Sequence, residues 1–79
     1  MQGKILSKCN YGEKGKIIKI RGEAAIHRYL FKLGIFVGRQ IKFEKINLTP
    51  LENSIRVCVN GNTFSLEKEV ANNVHVEIS

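Results

Sequence analysis

Apolar residues in this chain fall into short alternating runs, broken by glycines or small polar clusters, with one interval of a different period. In residues 16–21 (KIIKIR), bracketed by Gly15 and Gly22, β-branched residues are interleaved with basic ones. That pattern predicts a half-buried first strand. Between Gly22 and Gly34 the repeat changes, and Ile26, Tyr29, Leu30 and Leu33 recur at steps of three and four. This predicts one amphipathic helix of about ten residues. Glu23 sits where the helix dipole is positive, Lys32 falls in the last turn, and Gly34 can adopt the left-handed conformation of a C-cap. The outward side then carries His27, Arg28, Phe31 and Lys32.

Residues 39–46 (RQIKFEKI) alternate again as a second strand, with Ile41 and Phe43 inward and a break at Lys45 that predicts a bulge or strand end. Residues 47–53 (NLTPLEN) read as a loop, because Pro50 cannot donate to a ladder and Asn stands at both ends. Residues 55–59 and 62–66 are joined by Asn60 and Gly61, the pair favoured in a type I′ hairpin turn. Counting outward from that turn sets Val59 opposite Asn62, Val57 opposite Phe64 and Ile55 opposite Leu66. Residues 67–73 predict a short helical turn. Residues 74–78 predict a final strand, with Val74, Val76 and Ile78 inward and His75 and Glu77 outward.

The expectation is therefore a mainly β fold: five short strands, one helix after the first of them, and a single domain spanning residues 1–79. Strands so short cover one apolar face only by curling, which gives a small SH3-like barrel. The OB-fold is the competing barrel, but its helix usually follows the third strand rather than the first.

Charge and chemistry narrow the function classes. At 79 residues the chain is too short for two domains or for a deep catalytic cleft within its own core. Thirteen Lys and Arg face seven Glu and no Asp, a net charge of +6. Basic barrels often bind nucleic acid through phosphates and stacked bases, which supplies one candidate function. Here, however, the cations are spread over every element, and most aromatics fall at core positions. Asp is absent, no nucleophile has a sequence-local base, and the glycines around the first strand lack the trailing GK[ST] of a P-loop. No enzyme is expected.

Cys9 and Cys58 are too few for a disulfide scaffold, and with His27 and His75 they never reach zinc-ligand spacing. Glu23, His27, His75 and Glu77 could bind a transition metal only if folding gathered them. No cofactor is expected. The longest uncharged runs, residues 46–51 and 57–66, are far short of a membrane span, and the first 16 residues contain no signal-peptide core. The expected location is cytoplasmic.

In order along the chain stand Leu6, Gly12, Gly15, Ile17, Ile20, Gly22, residues 30–38 (LFKLGIFVG), Val57, Val59, Gly61, Leu66, Ala71, Val76 and Glu77. This series resembles the ferrous iron transport protein A family. The family's signature is a helix ending Leu-x-x-Leu-Gly, then two residues, then Pro-Gly opening a strand. Here Leu30, Leu33, Gly34 and Gly38 keep that pattern and Val37 replaces the proline. The resemblance implies an SH3-like barrel like the carboxy-terminal domain of iron-dependent repressors. It also implies a cytosolic accessory or regulatory protein that docks on the GTP-binding domain of a membrane ferrous iron transporter, and so lies peripherally at the membrane. Docking candidates are Arg28, Phe31 and Lys32 on the outer helix side, with Ile35 and Phe36 just beyond it, since Arg and aromatic residues are common anchors. Ile35 and Phe36 could equally plug the barrel end. Exposed strand edges also leave homo-oligomerisation open.

Overall fold

A computed structural model of the chain describes residues 3–49 and 52–79, with side-chain environments for 3–44 and 53–79. Six strands, β1 (Gly3–Ile5), β2 (Lys14–Ile20), β3 (Gln40–Thr49), β4 (Glu52–Val59), β5 (Asn62–Glu67) and β6 (Val74–Ile78), form one antiparallel sheet. Their order is β1-β6-β2-β3-β4-β5. The sheet is that of a small SH3-like fold. Helix α1 (Ala24–Lys32) follows β2, and a four-residue helix α2 (Lys68–Ala71) links β5 to β6.

The apolar alternation explains the interior. Ile17 from β2, Ile41 and Phe43 from β3, Ile55, Val57 and Val59 from β4, Leu66 from β5 and Val74 and Val76 from β6 share one core. Leu6, Cys9, Leu30, Ile35 and Ala71 complete it from the connections. The hairpin register is the one counted from the sequence: Val59 pairs with Asn62, Val57 with Phe64 and Ile55 with Leu66. Asn60 and Gly61 have φ of 52° and 80°, as a type I′ turn requires. The ladder slips between Phe43 and Lys45, where the alternation breaks.

Three expectations need correction. Among the described residues the strands number six, because Gly3–Ile5 pairs with β6 at the far end of the sequence. The segment 47–53 is not a loop throughout: β3 runs to Thr49 and β4 starts at Glu52, with Asn47 opposite Ser54 and Leu48 opposite Asn53. Pro50 and Leu51 lie outside the described residues. Tyr29, expected inward, is exposed. An α-helix turns 100° per residue, so Tyr29 and Leu30 stand at opposite margins of the apolar stripe, and the helix buries the Leu30 side. Ile26 and Leu33 are accordingly half-buried and Leu30 fully buried.

The end of α1 sets up the site. Gly34, at φ 84°, donates its N–H to the Phe31 carbonyl at 3.0 Å, and Ile35 donates to the Leu30 carbonyl at 2.9 Å. This is a Schellman stop, whose signature is apolar residues at the two ends of the longer bond. Leu30 and Ile35 are those residues, and both are fully buried. The chain is thereby turned back over β2, where Gly38 donates to the Ile17 carbonyl and Ile17 donates to that of Arg39.

Candidate functional site

The return loop and α1 enclose an open hollow of about 570 Å³, lined by Ile20, His27, Arg28, Phe31, Lys32, Ile35, Phe36 and Val37. All five docking candidates, Arg28, Phe31, Lys32, Ile35 and Phe36, thus come together. Three of them fall on one side of α1 because positions 31 and 32 lie three and four residues, about one helical turn, beyond position 28. Ile35 differs from the others in being fully buried: the Schellman stop turns its side chain into the core, so it forms the floor and offers a partner no free surface. Phe36 is half-buried and Phe31 is 65% exposed, and their ring centroids are 5.4 Å apart at an interplanar angle of 41°. Val37, where the family proline would stand, is 59% exposed at the rim.

Sequence reasoning missed Arg39, whose guanidinium carbon sits 4.5 Å from the centroid of the Phe36 ring. The backbone explains the contact: the Arg39 N–H donates to the Phe36 carbonyl at 3.1 Å, closing a turn that brings the two side chains together. Its signal in the sequence is a glycine, Gly38, placed where a turn between Phe36 and Arg39 needs it. Ile20 and Val37 are also additions.

The hollow is apolar at its base and cationic at its edge. Among the described residues no carboxylate lines it, and none pairs with Arg28, Lys32 or Arg39. The groups whose titration the fold shifts lie elsewhere, on the loop before β2. There Glu13 accepts the Asn10 N–H at 2.6 Å and the Lys4 ammonium at 3.1 Å. These bonds hold its carboxyl below the ordinary value, the Asn10 bond most strongly. Burial pushes the Cys9 thiol up, and the neighbouring Glu13 charge adds to the effect. Glu23, His27, His75 and Glu77 are not gathered: among the described residues no three His, Cys, Asp or Glu side chains could hold a metal ion.

The model of the FeoA domain matches residues 5–78. This chain belongs to the FeoA domain family. A crystal structure of an iron uptake regulatory protein, FeoA, is 26% identical, with 99% of this chain aligned to 100% of that one at a TM-score of 0.87. The solution structure of a FeoA-like protein from Clostridium acetobutylicum is 28% identical, covering 99% of this chain and 88% of that one at 0.81. FeoA from Chlorobium tepidum is 27% identical, covering 95% and 70%, also at 0.81. T. acidophilum IdeR shares the fold at a TM-score of 0.86 and 19% identity, with this chain covering 35% of its length. No curated protein matches. Among the described residues, no helix of this FeoA domain is long and apolar enough to cross a membrane.

Proposed function

We propose that this FeoA domain is a small cytosolic accessory protein of ferrous iron uptake, acting without catalysis. It docks on the cytosolic GTP-binding domain of the membrane ferrous iron transporter through the hollow beside α1. The family match and the relative named as an iron uptake regulatory protein support the pathway. The observation that carries the docking surface is the convergence of Arg28, Phe31, Lys32 and Phe36 on one apolar hollow. Such Arg and aromatic anchors, ringed by groups that exclude water, are what interface hot spots are made of. Nucleic-acid binding fits less well, since Arg39 already occupies a face of the Phe36 ring that base stacking would use.

Calorimetry tests the reading. Purified protein is titrated with the transporter's GTP-binding domain, and with random RNA and DNA oligonucleotides as controls. Saturable binding to the domain, abolished by Phe31→Ala with Arg28→Glu at an unchanged circular dichroism spectrum, is the expected result. Unaltered binding by the double variant, or binding to oligonucleotides alone with a steep loss in salt, overturns it.

A further inference from the structure

We infer that the occupant of the hollow is an acidic amphipathic segment of a partner protein, one that seats apolar side chains between Phe31, Phe36 and Val37 and sets carboxylates against Arg28, Lys32 and Arg39. The inference rests on the docking reading and specifies its chemistry. Two features of the hollow determine it.

Charge comes first. Arg28 and Lys32 rise from α1, one helical turn apart, and Arg39 stands on the return loop, over Phe36. Among the described residues no carboxylate lines the hollow, and the ion pair is Lys4 with Glu13. Two unpaired cations lining the apolar hollow, with a third beside it on the Phe36 ring, repel any basic partner, so they select for carboxylates. Arg39 is prepared for this role: stacking on Phe36 restrains its guanidinium, and a restrained planar fork loses less freedom on binding a carboxylate.

Shape comes second. The floor of Ile20 and Ile35 is sunk below a rim where Phe31 and Val37 stand 65% and 59% exposed. At about 570 Å³ the space exceeds what one side chain needs, and it suits anchors repeating along one face of a helix. A lipid surface is convex or flat at this scale and would meet the rim without filling the floor.

The test uses the full chain and three labelled synthetic peptides of 15 residues. One carries Leu and Phe at i, i+4 and i+7 with Glu on the remaining face, the second has those Glu replaced by Lys, and the third keeps Glu but has Ala at the anchors. Fluorescence anisotropy should show saturable binding of the first, with the second and third at least tenfold weaker. Phe31→Ala should weaken the first peptide at least tenfold. Arg28→Glu with Lys32→Glu should invert the preference, so that the lysine peptide now binds better. Equal binding of the glutamate and lysine peptides, no inversion by the charge-reversed variant, or capture only by phosphatidylserine vesicles overturns the inference.

The transporter's GTP-binding domain is titrated in parallel. Domain binding that is indifferent to charge reversal sinks the acidic segment and leaves docking intact. Peptide binding without domain binding sustains the acidic segment and removes the transporter as its source.

Discussion

Gly15 lies so close to Glu77 on the neighbouring strand that a Cβ added to it would stand 2.1 Å from the Glu77 carbonyl oxygen. The obstacle is backbone, not a side chain that can swing away, and it sits where β2 is hydrogen-bonded between β3 and β6. A glycine in a strand interior marks such an approach of one backbone to another. Gly15→Ala should therefore destabilise the protein by about 2 kcal/mol or more, read as a lowered urea midpoint. Gly3→Ala is the control: its Cβ would meet Ile18 Cδ1 at an ordinary 3.6 Å, and the change should stay within about 0.5 kcal/mol.

Leu30 is the fully buried side chain of α1, so the helix is attached to the barrel through a narrow contact. Leu30→Ala should cost about 2–5 kcal/mol and remove helical signal from the circular dichroism spectrum. Because the Leu30 side chain shares the core with Ile35 at the stop that turns the chain into the return loop, partner binding should fall with it. Phe31→Ala, at an exposed position, should lower binding with little change in stability.

Glu13 supplies a pH dependence. Its folded carboxyl is held below the ordinary value, so as pH falls the unfolded chain takes up the proton first. The stabilisation is complete above the unfolded pKa of about 4.3 and is lost as pH falls through the lower folded value. Urea midpoints measured at pH 6 and pH 3 should differ less for Glu13→Gln than for the wild-type chain.

The two thiols should be separable by alkylation. Cys9 is buried and its thiol is raised, and the thiolate is the reactive form. Cys58 is half-buried on β4. Iodoacetamide at pH 7.5 should label one site in the folded protein, mapped by mass spectrometry to Cys58, and both sites in urea.

Local chemistry was legible from the sequence, and remote chemistry was not. Asn60 and Gly61 fix a turn, and a turn fixes a register, so the pairing of Val57 with Phe64 follows from counting alone. Helix α1 was readable because Ile26, Leu30 and Leu33 repeat within one element. By contrast β1 is three residues long, too short for a period, and exists because β6 presents an edge some seventy positions later. Asn47 and Asn53 favour turns, but a partner strand overrides that preference. At the site, position along α1 identified Arg28, Phe31 and Lys32. The inward course of Ile35 and the placement of Arg39 depend on two turns whose dihedral angles the residue types permit without dictating.

The pairing of Gly3 with Glu77 has a consequence for how such a domain is used. The polypeptide enters and leaves through adjacent strands, like a bead whose string passes in and out at one opening. A longer chain could splice this barrel in at either side with short connectors. In T. acidophilum IdeR the same fold covers 35% of the chain.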